Sequence, residues 1–396
     1  MTTIKNHFSL DDFTVSIVIP CLNESETIAL CVEEAFKGLI SAGVIGEVLI
    51  ADNGSVDGSQ EIAKQLGARV VTIKEKGYGA ALNGGIHAAN GTVIVFGDAD
   101  MSYPFSAVRE LLAPLREGKS EFVLGSRLDG NIQKGAMPFL NRYFGTPVLT
   151  FLIRFIYRLP VTDCNSGMRA FFKTIYPKLN LQCPGMEYAS EMLIQVARKN
   201  ITYSEVPINF RKDLRTRPPH LKRWRDGWRH LRFILGNAPS LALIVLPGSI
   251  GGVFLLIALI LSFGRVLDPN GDLHFHTALS LIALATPLLL MTITFLLVRI
   301  AASESRVRQS GLVALMLKYS DNSTLFFTSV LFFGIMLIQI ILMFGKWWLS
   351  GFGKLDEIDS AIRVMVYGII GTTFFCMDIG LGLLKLISYH TTGESE

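Results

Sequence analysis

Thr92-Val93-Ile94-Val95-Phe96-Gly97-Asp98-Ala99-Asp100 is the stretch around which the rest of the chain is organised. The run Val93–Phe96 is β-branched and aromatic, the composition of a buried central strand. It ends abruptly in two carboxylates, Asp98 and Asp100, one residue apart. Ligands of open α/β sheets bind at the carboxyl ends of the strands. Two acids this close repel each other unless a cation or several donors stand between them. A hard divalent ion such as Mg2+ or Mn2+ takes oxygen ligands from one or two carboxylates and completes its shell with substrate phosphate. The pair suits a metal–diphosphate site, and taken alone it suits a surface turn equally well. The neighbouring segments decide between the two.

Working outward, the same strand-then-polar-loop pattern recurs. Val15–Ile19 is an apolar strand closed by Pro20-Cys21-Leu22-Asn23-Glu24-Ser25, with a helix expected from Ile28 to about Leu39. Glu47–Ala51 is a second strand, ending in the turn Asp52-Asn53-Gly54-Ser55. Arg69–Ile73 is a third, followed by Lys74-Glu75-Lys76-Gly77-Tyr78-Gly79 and a helix. Glu121–Gly125 is a fifth, ending in Ser126-Arg127, after a helix expected from Pro104 to about Arg116. Strands alternating with helices predict right-handed crossovers and a mostly parallel, Rossmann-like sheet, so the polar loops converge on one edge. Gly77-Tyr78-Gly79 lacks the third glycine of a dinucleotide fingerprint. Lys76 beside that glycine-rich helix start still suits a phosphate. Asp52 suits the N–H edge of a base, or merely its own turn.

The pattern changes after residue 130. Met137–Arg158 is apolar but carries Arg142, Arg154 and Arg158, which predicts an amphipathic helix lying in a membrane interface. Asp163-Cys164-Asn165-Ser166-Gly167 reads as a polar loop, Met186–Glu191 as the start of a helix, and Ile201–Ile208 as a strand. Residues 211 to 232 hold nine Arg or Lys against Asp213 and Asp226, with Trp224 and Trp228 interleaved. A basic, Trp-bearing segment before an apolar run reads as a docking surface for anionic headgroups as well as a topology signal.

Half of the 396 residues are hydrophobic (50%) and only 18% are charged, an excess of apolar residues confined to the second half of the chain. The mean hydropathy is +0.42, too high for a purely soluble protein. Four spans are expected near Ser240–Phe263, Thr277–Val298, Leu325–Phe344 and Val364–Ile387, each long enough for a hydrocarbon core of about 30 Å. The 299–323 loop carries Arg299, Arg306, Arg308 and Lys318, against Arg265, Lys346 and Lys354 in the opposite loops. The positive-inside rule then places the amino-terminal half in the cytosol. Two further signs agree: there is no signal-peptide pattern at the start, and Cys21, Cys31, Cys164, Cys183 and Cys376 have no paired spacing. Asp378 falls inside the last span. The expected organisation is 1–210 catalytic, 211–238 a basic amphipathic interface segment, and 239–396 a four-helix membrane domain.

The motifs, taken in order, resemble a membrane-bound family 2 glycosyltransferase of the GT-A fold, in the polyprenyl-phosphate hexosyltransferase group (dolichol-phosphate mannose and glucose synthases). They are Val15–Pro20 with Asn23-Glu24, Asp52–Ser59, Gly77–Gly85, Asp98-Ala99-Asp100, Gly125-Ser126-Arg127 and Ser166-Gly167-Met168-Arg169. The resemblance covers about residues 14–235. It implies that Pro20, Leu22, Glu24, Asp52 and Asn53 hold the nucleoside, and that Lys76 and Gly79 lie by the diphosphate. It makes Asp98, Ala99 and Asp100 the metal and nucleotide loop, with Ser102 as a weaker third ligand. Arg127, Arg142 and Ser166 would face the acceptor phosphate, joined by Arg169 and Arg217. The sequence departs from the group with Leu22 where Tyr is frequent, Asn53 where a second Asp is common, and Arg215-Thr216-Arg217-Pro218-Pro219-His220 after the catalytic region. That last segment looks more like the glucose-type relatives.

The implied activity is inverting transfer of a hexose from a nucleotide sugar, UDP-glucose before GDP-mannose, to polyprenyl or dolichyl phosphate at the cytosolic face of a plasma or endoplasmic-reticulum membrane. A lipid phosphate is already anionic at neutral pH and needs no general base. A sugar-hydroxyl acceptor would need one, and Glu187 and Glu191 are the candidates, each equally suited to capping or pairing. The rivals are a processive synthase, for which the Gln-x-x-Arg-Trp pattern is missing, and a transporter or flippase with a nucleotide-binding domain, which predicts broken, polar spans. No nucleic-acid partner is expected, and a homo-oligomer is left open.

Overall fold

The computed structural model describes residues 13–216, 223–237, 246–267, 272–303, 324–349 and 358–392. They belong to two units, Met1–Ile234 and Leu235–Glu396.

Strands of the first unit are β1 (Val15–Cys21), β2 (Gly46–Asp52), β3 (Arg69–Thr72), β4 (Val93–Phe96), β5 (Phe122–Ser126), β6 (Arg169–Phe172) and β7 (Tyr203–Pro207). Its helices are α1 (Ile28–Ser41), α2 (Ser59–Gln65), α3 (Tyr78–Ala88), α4 (Val108–Arg116), α5 (Thr146–Tyr157), the single turn α6 (Tyr176–Leu179), α7 (Tyr188–Arg198) and α8 (Arg223–Gly236). The sheet order is β3-β2-β1-β4-β6-β5-β7. β1 pairs in parallel with both β2 and β4, and β5 in parallel with β7. The central strands are buried on both faces, and for that reason β1 and β4 read as continuous apolar runs rather than alternating ones. Their core packs Ile17, Ile19, Val93 and Val95 against Val32 and Leu39 of α1 and Leu111 and Leu115 of α4.

β6 departs from the expected pattern. It runs antiparallel between β4 and β5, placing Arg169 opposite Phe96 and Ala170 opposite Val95. Four residues opening on an arginine carry too little periodicity to announce a strand, and only the gap between β4 and β5 makes them one. The single helix expected over Met137–Arg158 is also divided. A π-helical turn, Asn141–Gly145, precedes α5, and Pro147 lies at the junction. Proline has no N–H for the preceding turn, so the hydrogen-bond ladder resets there.

In the second unit lie α9 (Leu246–Leu267), α10 (Asp272–Ser303), α11 (Thr324–Leu349) and α12 (Ile358–Thr392). α10 packs against α9 and α12, and α11 against α12. Thr324–Leu349, of mean hydropathy 2.5, and Arg363–Gly380, at 1.2, are long and apolar enough to cross a membrane. Leu246–Ala258 and Leu279–Thr294 are shorter apolar stretches within the described residues. Residues 240–245, where the first span was expected to begin, lie outside the described residues. Almost none of the α11 side chains is buried, and Leu331, Ile341 and Trp348 stand exposed. Asp378 of α12 is buried.

Candidate active site

Asp98 and Asp100 occupy the loop that leaves β4. Asp100 Oδ1 accepts two bonds from Ser102, from its N–H at 2.9 Å and from its hydroxyl at 2.5 Å. Met101 between them takes a left-handed backbone, φ 65°, which folds Ser102 back onto the acid. Asp98 Oδ1 accepts the Tyr78 hydroxyl at 3.0 Å. Its other oxygen lies against Gly167, where an added Cβ would stand 3.0 Å away. The loop is anchored from below by Thr27, whose hydroxyl donates to the Ala99 carbonyl at 2.6 Å. Burial, then the neighbouring Asp100 charge, push the Asp98 carboxyl up to about 7. This is a site short of positive charge.

The ends of β1 and β2 lie side by side, with Cys21 opposite Asp52. Asp52 is fully buried and accepts the N–H groups of Gly54 at 3.0 Å and Ser55 at 3.2 Å, with the Gln60 amide at 2.7 Å. Its oxygens therefore serve its own turn. Asn53 braces the next loop, donating to the carbonyls of Ile73 and Glu75 and accepting the Gly77 N–H at 2.8 Å. Lys76 Nζ donates to the Asn53 carbonyl at 2.6 Å. Gly79 was expected beside a diphosphate. The structure gives it a packing role, because a Cβ there would meet the Cys183 carbonyl at 2.2 Å. Pro20 is the penultimate residue of β1, and Leu22 lies half-buried in the loop before Glu24.

Glu24 is buried at the start of α1, and Arg215 reaches it from the strap after β7. The Arg215 guanidinium donates to Glu24 Oε1 at 3.1 Å, to Asp100 Oδ2 at 2.9 Å and to Asp213 Oδ2 at 2.6 Å. An internal cation thus bridges residues from three parts of the chain. This fits the acid pair as a cation site. Among the described residues no group of three or more His, Cys, Asp or Glu forms a complete metal cage. Two protein carboxylates completed by a substrate diphosphate is the arrangement the donor set fits.

The arginines expected to face an acceptor are not gathered in one place. Arg127 is buried and forks onto Asp163, Nε to Oδ2 at 2.7 Å and Nη2 to Oδ1 at 2.8 Å. Ser166 is buried too, its hydroxyl donating to the Gly125 carbonyl at 2.5 Å. Arg169 is fully buried, held by the Ser166 carbonyl, with its guanidinium over the Phe96 ring. Arg142 is exposed beside Tyr143, on the π-helical turn. Arg217 lies outside the described residues. Glu191 accepts the N–H groups of Gln182 and Cys183, which makes it a loop brace. Trp228, expected at a membrane surface, is buried in the first unit, since α8 turns that face inward with His230, Phe233 and Ile234.

Sequence reasoning missed Tyr78, Asp163 and Arg215 as parts of this site. Tyr78 and Asp163 lay inside quoted motifs, and a polar group flanking a phosphate-type glycine turn or a Ser-Gly loop was the available signal. Arg215 opened the quoted Arg215–His220 segment, but nothing local marked it as a partner of Asp100.

An α/β unit with its polar loops at the carboxyl ends of parallel strands, and paired acids at the middle of that edge, is a fold of the GT-A type. The family described as "Glycosyl transferase family 2" matches residues 16–179. The low-salt glycan biosynthesis hexosyltransferase Agl6 of Haloferax volcanii is 37% identical over 266 residues, 67% of this chain and 63% of that protein. The dolichyl-phosphate hexose transferase of the same organism is 31% identical over 208 residues, 52% of this chain and 85% of that one. The chain belongs to glycosyl transferase family 2. It spans less than two thirds of the length of Agl6. Glucosyl-3-phosphoglycerate synthase from Mycobacterium tuberculosis, solved with Mn2+ and UDP, is 22% identical, with 61% of this chain and 89% of that chain covered and a TM-score of 0.48.

Proposed function

We propose that the chain transfers a hexose from a nucleotide sugar, UDP-glucose first and GDP-mannose next, to a polyprenyl phosphate at the cytosolic face of a membrane. The observation that carries this reading is the conjunction, in one family 2 chain, of the Asp98–Asp100 pocket with a unit of long apolar helices. A nucleotide-activated donor meeting a lipid acceptor is the simplest reaction that uses both. The likeness to a dolichyl-phosphate hexose transferase supports the lipid-phosphate acceptor.

Asp98 and Asp100 would hold Mg2+ or Mn2+, which would supply positive charge to offset that of the leaving diphosphate. Tyr78 and Ser102 orient the two carboxylates. Glu24, Asp52 and Asn53 shape the nucleoside edge, and Lys76 lies beside the phosphates. The acceptor phosphate attacks the anomeric carbon directly and inverts it. Arg142 supplies exposed positive charge to the acceptor, and the buried Arg127–Asp163 pair fixes the wall behind it. Phe139, Phe144, Phe151 and Phe155 stand exposed among Arg142, Arg154 and Arg158. That combination supports seating of the 137–158 segment at a lipid interface, rings in the acyl boundary and cations among headgroups. The four helices of the second unit span the bilayer in this reading.

The test is transfer itself. Purified full-length protein is incubated with polyprenyl phosphate, Mg2+ or Mn2+ and radiolabelled UDP- and GDP-sugars, and the lipid is extracted. Label in the lipid supports the proposal, and none from any donor with folded protein overturns it. Glu187 Oε2 is buried without a hydrogen-bond partner, which favours a hydroxyl-directed reading as the second choice. Glu187→Gln separates the two, since it spares a phosphate acceptor and abolishes general-base catalysis.

A further inference from the structure

The strap Arg211–Thr216, which follows β7, is fastened over the acid pair at several points. Arg211 donates its backbone N–H to the Ser102 carbonyl at 2.9 Å and forks onto Glu34 at 2.9 and 3.0 Å. Leu214 donates its N–H to the Asp100 carbonyl at 3.3 Å. Thr216 bonds Glu26 through both its N–H and its hydroxyl, each at 2.7 Å. These contacts deliver Arg215 into a pocket of three carboxylates, where its side chain is only 12% exposed.

Three of the roughly four acceptor sites of Asp100 are taken as a result. Ser102 takes Oδ1 and Arg215 takes Oδ2. The Ser102 bonds are local, two residues along the chain, and remain whatever else binds. The Arg215 contact joins residues 115 apart and is the exchangeable one. The remaining acceptor site is on Oδ2, so an ion coordinated there would stand in contact with the Arg215 guanidinium, and the two cations repel.

We propose that Arg215 is an internal counter-ion latch. It holds the position between Glu24 and Asp100 that a cation would take, and a divalent ion binds tightly as Arg215 gives up Asp100. Asp213 makes the exchange local. It grips Arg215 through Nε and Nη2 at 2.6 to 3.0 Å, so the guanidinium stays paired after leaving Asp100. Guanidinium does not lose its proton in the accessible pH range, so competition from another cation, rather than pH, opens the latch. Because Leu214 and Arg211 are bonded to the backbone of Asp100 and Ser102, displacement of Arg215 also loosens the strap. Metal arrival is thereby coupled to residues 211–216. The inference rests on the metal-site reading proposed above.

Mn2+ binding to the full chain in detergent, without nucleotide, is followed by the loss of the free-ion electron paramagnetic resonance signal. Arg215→Ala is expected to bind Mn2+ about tenfold more tightly than wild type, the scale of one charge-assisted contact removed. Arg211→Gln deletes one positive charge from the same strap without touching Asp100, and is expected to leave the affinity near the wild-type value. In the wild-type protein, Mn2+ is expected to speed hydrogen exchange at residues 211–216, a readout that needs no variant to fold. Equal affinity in wild type and Arg215→Ala overturns the latch and leaves the metal site standing. Equal tightening by Arg211→Gln also overturns it, since bulk charge then suffices. Failure of both chains to bind Mn2+ overturns the metal site and the latch together.

Discussion

Tyr78 donates its phenol proton to Asp98 Oδ1 at 3.0 Å, from the first residue of α3 to the end of β4. Burial and the Asp98 charge push the Tyr78 phenol well up, so it stays a donor throughout the working range. This bond holds down a carboxyl that burial and Asp100 otherwise raise.

Tyr78→Phe removes that restraint. Hydrogen bonds to charged groups contribute about 1.5–3 kcal/mol. The Asp98 carboxyl then rises further above about 7, and a protonated carboxyl is a poor metal ligand. The expected outcome is weaker Mn2+ binding at pH 7 and an alkaline shift in the midpoint of the pH–rate profile. An unmoved midpoint refutes the orienting role.

Asp100→Ala is expected to leave the sheet intact, because the side chain lies in a loop beyond β4, and to abolish the proposed transfer. Activity is read by label in extracted lipid and folding by near-ultraviolet circular dichroism. Near-normal rates in the variant with metal removed would show that the metal role is wrong.

The Arg127–Asp163 pair is buried at both partners, with side-chain exposures of 10% and 0%. Breaking such a pair from one side costs about 3–5 kcal/mol, since the remaining charge is stranded. Asp163→Asn is therefore expected to lower the denaturant midpoint sharply. The Arg127→Met, Asp163→Leu double variant should lose less than the two single changes added together. Simple additivity, measured by equilibrium unfolding, would argue against direct coupling.

His230 is buried with Nδ1 at 2.7 Å from the Ser190 hydroxyl, and burial lowers its pKa from 6.5 to about 4. The unfolded chain binds the extra proton between these values, so stability is full above about 6.5 and falls as pH drops toward 4. The loss is on the order of 3 kcal/mol by linkage. His230→Gln should flatten the dependence of the melting temperature on pH between 7 and 5. A slope equal to that of wild type would assign the acid sensitivity elsewhere.

Local patterns made much of the first unit legible. β1, β2 and β4 are short apolar runs followed by breakers, and their chemistry lies in the next few residues. The acid pair, the Asp52 turn and the Lys76 loop converge on one sheet edge, as alternation of strands and helices predicts. β6 was hidden because an edge-to-edge gap, rather than its own composition, makes it a strand. The burial of Trp228 was hidden for a related reason. A tryptophan beside arginines looks the same whether it faces solvent, lipid or a packed core.

The sequence by itself determined which residues carry charge, where strands stop, and which segments are too apolar for water, because these properties depend on neighbours within a few positions. The tertiary structure decided which charges meet. Arg215 reaches Asp100 across 115 residues, and Arg127 reaches Asp163 across 36. Pairing of that kind depends on where the chain returns after each crossover, and nothing in the local run of residues records it. Asp98-Ala99-Asp100 was therefore readable as a place that wants a cation, while the guanidinium that meets that demand became visible only in the folded chain.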